Sequence, residues 1–154
     1  MERVVKKLIE LNKTISTMES CTGGALANAI TNIPDASRVI KYSAVTYSNE
    51  YKIKMGVNEE LINKYSVYSM EVAKDMARVI SEYTNSNYGV GITGKLKKVD
   101  INNLSGEDDV VFLSIYDKDK NEYLNIKIKL KFDTRIDNKN QIIEEFIDNF
   151  LKIA

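Results

Sequence analysis

The chain has 154 residues, enough for one domain with a buried core, and its 44% apolar and 29% charged residues are those of an ordinary globular protein. Lys plus Arg equals Asp plus Glu at 22 each, so no overall basic field favours nucleic acid, and no apolar run approaches the ~18 residues of a membrane span. One cysteine and no histidine exclude an internal disulfide and any Ser-His-Asp or Cys-His site within the chain. They also argue against a structural zinc site, while a hard-cation site of carboxylates stays open, and any general base must be Lys, Tyr, Asp or Glu.

In chain order, Val4, Val5, Leu8 and Ile9 form one apolar stripe, which predicts an amphipathic helix over residues 2–12. Its charges interrupt the apolar core that a signal peptide needs, and a cytoplasmic location is expected. The β-branched run 14–18 reads as a strand and 22–31 as a helix with Thr22 as its N-cap. Residues 33–35 form a turn with the only proline, and 39–47 are strand-like. One or two helical turns end at Gly56, and a short helix follows Asn58. Residues 69–85, capped by Ser69 and lined by Val72, Met76, Val79, Ile80 and Tyr83, make the clearest helix. Residues 88–93 are a short apolar strand, and 95–109 a polar, mobile loop. Strands at 110–117 and 122–132 are joined by "KDKN" as an antiparallel hairpin, the second alternating through Leu124, Ile126, Ile128 and Leu130. An amphipathic helix over 141–153 closes the chain. This order predicts an α/β fold with a mixed sheet and helices on its faces.

The segment "MESCTGGALANAI" (18–30) sets Ser20, Cys21 and Thr22 beside Gly23 and Gly24 where a strand gives way to a helix. Ligands of open α/β sheets bind outside the carboxyl ends of strands, and helix N-termini there offer backbone N–H groups to an anion or oxyanion. The plainer alternative is that Ser20 and Thr22 cap the helix and the glycines ease a turn. A second polar cluster, "TYSNEYKIK" (46–54), carries Tyr47, Ser48 and Lys52. Lys52 is a base, a phosphate ligand or a solvated surface lysine on this reading. "GVGITG" (89–94) puts Thr93 and Gly94 at another strand end.

These segments together resemble the C-terminal-domain family of competence/damage-inducible protein A, CinA, whose stand-alone members include nicotinamide-nucleotide amidases. The resemblance rests on "ESCTGG" (19–24), "VTYSNEYK" (45–52), "MGVNEELI" with Ser69, "GITG" (91–94) and "FDTR" (132–135), in this order. It implies a three-layer α/β/α sandwich with a mixed sheet over residues 1–154 as a single domain, in a family whose members are often dimers. It also implies hydrolysis of nicotinamide mononucleotide, a small-molecule substrate, without cofactor, metal, nucleic acid or membrane.

By that resemblance Ser20 is the nucleophile and Lys52 its base, directly or through Tyr47. Thr93 bonds substrate or nucleophile, and Arg135 pairs with the phosphate or holds the site together. Thr22, Gly23, Gly24 and Ser48 take part in substrate binding, with oxyanion donors among the backbone N–H groups of 21–24. Cys21 is a second-choice nucleophile. The chain departs from the family pattern in 95–109, where "KLKKVDINNLSGEDD" replaces a glycine- and proline-marked loop, at Asp35, where glycine is favoured, and at Thr134 and Lys139. These departures leave an alternative: a catalytically inactive member that binds a nucleotide or a protein partner.

Overall fold

A computed structural model describes residues 1–98 and 100–154. Five strands, β1 (Ile15–Glu19), β2 (Ile40–Val45), β3 (Tyr88–Gly94), β4 (Val110–Asp117) and β5 (Glu122–Lys129), form one sheet in the order β2-β1-β3-β4-β5. β1 is parallel to β2 and β3, whereas β4 and β5 join antiparallel, so the sheet is mixed as predicted.

Helices cover both faces. On one lie α1 (Glu2–Glu10), α2 (Ala25–Thr31) and α6 (Arg135–Ile153), whose Val4, Leu8, Leu26, Ile30, Phe146 and Phe150 pack on Ile15, Val90, Ile92 and Leu113. On the other, α3 (Asn49–Lys54), α4 (Glu59–Tyr65) and α5 (Met70–Thr84) bury Ile62, Val72, Met76 and Ile80 with Met18 and Ala44. The α5 backbone rests directly on β3: a Cβ at Gly89 would come within 1.9 Å of Ala77 O, and one at Gly91 within 2.1 Å of Ala73 O. No helix among the described residues is long and apolar enough to cross a membrane.

Four expectations need correction. The second helix starts at Ala25, not Thr22, because Gly23 and Gly24 have φ of +60° and +94° and hold the chain out of the helix until then. Thr22 is not the cap: its hydroxyl donates to Glu19 Oε1 at 2.7 Å. The last helix begins at Arg135, where Thr134 Oγ1 accepts from Asp137 N, six residues before the apolar periodicity sets in. The segment 95–109, of which residue 99 lies outside the described residues, is tied to the body of the protein. Lys95 Nζ donates to Leu104 O, Gly106 O and Asp108 Oδ1 at 3.4, 3.2 and 3.0 Å, and Ser105 Oγ donates to Ser66 Oγ at 2.7 Å.

Asp35 has φ +67°, a left-handed conformation that explains why glycine suits this turn. Asp35→Gly is therefore expected to raise the melting temperature by about 2 °C in a thermal scan, the gain in backbone fit exceeding the added freedom of the unfolded chain.

Candidate functional site

The register of the parallel strands puts Glu19 beside both Val45 and Ile92, so β1, β2 and β3 end together. Residues 20–24, 46–52 and 94–109 therefore leave the sheet at one edge. β5 runs parallel to β3, so the segment that leads from it to Arg135 leaves there too. The chain passes from β1 to β2 on one side and returns to β3 on the other, which is the switch point where open sheets bind ligands. A cleft of about 510 Å³ lies there, with Ser20, Cys21, Tyr47, Ser48 and Arg135 in its walls.

Lys52 sits behind Ser20. Ser48 caps α3 by accepting from Tyr51 N, and one turn later the helix carries Lys52 into the interior, where it is 1% exposed. Its Nζ donates to Ser20 Oγ at 3.1 Å and to Thr46 O at 2.7 Å. One hydroxyl and one carbonyl are a poor exchange for water around an ammonium, and burial pulls its pKa down to about 8. Cys21 meets the opposite fate. Burial pushes its thiol up to about 12 despite the nearby Lys52, so it stays protonated and is a poor nucleophile.

Glu19, fully buried, organises the turn. Its carboxylate accepts from Leu26 N at 3.0 Å and Ala27 N at 2.9 Å, so the positive end of α2 is already occupied and not open to a ligand. The N–H groups of Cys21, Thr22 and Gly24 have no backbone partner among the described residues, and of these three residues only Cys21 lines the cleft.

The remaining predicted residues divide. Tyr47 and Arg135 meet, Arg135 Nη2 donating to the Tyr47 hydroxyl at 3.3 Å, and Tyr47 is 65% exposed at the cleft. Tyr47 has no hydrogen bond to Lys52 among the described residues, whereas Lys52 reaches Ser20 directly. Thr93 is buried and donates to Val67 O at 3.0 Å, away from the cleft lining. Thr22, Gly23 and Gly24 also stand outside the lining: Thr22 serves Glu19, and Lys139 Nζ packs 3.5 Å from where a Gly23 Cβ would be.

The sequence reading missed Glu19, Tyr68, Asp100 and Asn138. Tyr68 donates its hydroxyl to Asp100 Oδ2 at the cleft wall. Asn138, fully buried, accepts from Phe132 N and donates to Phe132 O, which fixes the segment that delivers Arg135. Glu19 stands in the "ESCTGG" motif, but its only structural signal is an acid a few residues before a helix that lacks a capping side chain.

Fold and site together define an α/β sandwich with a serine–lysine pair at the carboxyl edge of its parallel strands. The model of the CinA C-terminal domain matches residues 1–151, and the chain belongs to that family. A CinA-like protein of Endomicrobium trichonymphae is 47% identical over 88 residues, 56% of this chain but only 21% of that relative's length. Among solved structures, a competence/damage inducible protein from Agrobacterium tumefaciens matches with a TM-score of 0.88 at 24% identity, covering 97% of this chain and 90% of that one. A CinA superfamily protein from Escherichia coli has the same TM-score at 23% identity, covering 99% and 87%. These two likenesses establish the fold.

Proposed function

We propose that residues 1–154 act as one domain that hydrolyses the carboxamide of nicotinamide mononucleotide to nicotinic acid mononucleotide and ammonia. The reading rests on one observation above all: a buried lysine with its pKa near 8 lies 3.1 Å from a serine hydroxyl at the cleft. The substrate class is taken from the resemblance to the family's nicotinamide-nucleotide amidases, and Arg135 beside Tyr47 supplies a cation and an aromatic surface for a phosphate and a ring.

In the proposed cycle, neutral Lys52 takes the Ser20 proton as Oγ attacks the carboxamide carbon. The bond to Thr46 O holds one amine hydrogen and leaves the lone pair for Ser20. The tetrahedral oxyanion is met by the Cys21 N–H of the 21–24 turn, the member of that turn at the cleft wall without a backbone partner among the described residues. Collapse breaks the C–N bond, the Lys52 ammonium returns its proton to the leaving nitrogen, and ammonia departs from a Ser20 ester. Lys52 then takes a proton from water, the resulting hydroxide attacks the ester, and the acid is released with Ser20 reprotonated. The proposed substrate is an intracellular metabolite, and the reading puts the protein in the cytoplasm.

The test is ammonia release from nicotinamide mononucleotide by the wild type beside Ser20→Ala. Turnover in the wild type and a loss of about 1,000-fold or more in the variant are expected. A second reading, a catalytically silent nucleotide-binding member, is favoured by one feature: the 95–109 segment brings Lys98 and Asp100 to the cleft in place of the family's glycine-marked loop. It takes precedence if the folded wild type binds the mononucleotide and releases no ammonia.

A further inference from the structure

Among the described residues that line the cleft, Asp100 is the only carboxylate, and it stands in the company of Arg135, Lys95 and Lys98. It is held from three directions. Tyr68 and Asn103 donate to Oδ2, the latter at 3.0 Å, and Asn102 N donates to Oδ1 at 2.9 Å. Asn103 is itself held by Asn49 Nδ2 at 3.2 Å, and the three bonds of Lys95 anchor the same loop. The Tyr68 hydroxyl, with Asn103 adding to its effect, holds the Asp100 carboxyl below its usual range, so it is ionised at neutral pH.

A fixed anion in a cleft that takes a phosphate ester weakens binding unless the ligand also brings hydrogen-bond donors. A carboxylate has about four acceptor positions. The three donors above occupy two on Oδ2 and one on Oδ1, so Oδ1 keeps acceptor capacity. In nicotinamide mononucleotide the neutral donors are the carboxamide NH2, which the proposed reaction places at Ser20, and the ribose hydroxyls, the groups that dinucleotide-binding folds read with a single acidic side chain.

We propose that Asp100, held by Tyr68, Asn102 and Asn103 at the wall of the Ser20 cleft, is a specificity-determining residue that accepts a hydrogen bond from the ribose 2′- or 3′-hydroxyl of the bound mononucleotide. The inference rests on the mononucleotide reading of the cleft. It makes the chain-specific 95–109 segment a working wall of the site, built from side chains where the family pattern has glycine and proline.

The test uses the Ser20→Ala background, so that ligand is not consumed. Binding of nicotinamide mononucleotide and of its 2′-deoxy and 3′-deoxy analogues is measured by calorimetry, with and without Asp100→Ala. With Asp100 present, at least one deoxy analogue is expected to bind about ten- to a hundredfold more weakly than the riboside. With Asp100→Ala that ratio falls to near one, while the affinity for the discriminated analogue changes little. Equal weakening of all three ligands by Asp100→Ala would mean that Asp100 only braces the loop and would overturn the inference. So would a ribose preference that survives the substitution, or binding with no preference at all, and either leaves the mononucleotide reading intact. Failure of all three ligands to bind would overturn both.

Discussion

Lys52→Met is expected to abolish amide hydrolysis, with a fall of about 1,000-fold or more in kcat, and to leave the protein more stable at pH 7 than the wild type. The lost activity follows from removing the only amine in contact with Ser20 among the described residues. The gain in stability follows from the lysine's position. Burial lowers its pKa from near 10.4 to about 8, a difference worth about 3 kcal/mol at ~1.4 kcal/mol per pH unit. Between about pH 8 and 10 the unfolded chain binds more protons than the folded one, so stability rises across that window. Below pH 8 the full penalty of burying the ammonium is present. Methionine fills a similar volume without it but leaves Thr46 O without its donor, at a cost of about 1–2 kcal/mol. The net expectation is a gain of about 1–2 kcal/mol at pH 7, shrinking toward zero and then reversing near pH 10, read by denaturant unfolding at both pH values. A variant less stable than the wild type at pH 7 would mean that the lysine is not penalised by burial.

Glu19→Ala is expected to be the most damaging single change to stability, about 3–5 kcal/mol by denaturant unfolding. The carboxylate is wholly inaccessible and accepts from Leu26 N, Ala27 N, Thr22 Oγ1 and, at 3.3 Å, Thr17 Oγ1. Alanine leaves two helix N–H groups and the Thr22 hydroxyl unpaired in the interior, Thr17 Oγ1 keeping Ser43 Oγ at 2.8 Å, and opens a cavity. Glu19→Gln keeps the shape and one acceptor oxygen and is expected to lose about half as much. Because the same carboxylate shapes the turn that carries Ser20, catalytic loss should accompany the loss of α2. A tolerated Glu19→Ala would show that the turn holds itself by its glycines alone.

Much of this architecture is legible in the sequence because each strand has one strong periodic or β-branched signal. The alternation of Leu124, Ile126, Ile128 and Leu130 corresponds to the alternating burial of β5 and the residue after it. The pairing of Ser20 with Lys52 is legible only through the family motif, since nothing local in "NEYKIK" says that its second basic neighbour, Lys54, stays at the surface while Lys52 is buried. The start of α6 is hidden because its first turns, Arg135 to Asn140, carry one apolar residue, Ile136, and it is 67% exposed. There a cap, not an apolar stripe, sets the boundary. By its polarity alone the 95–109 wall reads as a mobile loop. Its polarity is consumed internally, by Lys95 on loop carbonyls and by Tyr68 on Asp100, contacts that depend on residues brought together by the fold.

The central claim is that neutral Lys52 activates Ser20, and the pH dependence of ammonia release from nicotinamide mononucleotide tests it most directly. The account predicts activity that rises about tenfold per pH unit below pH 7, levels off above an apparent pKa of about 8, and is absent across the range in Ser20→Ala. Turnover that stays flat from pH 6 to 9, or that survives in Ser20→Ala, would contradict it.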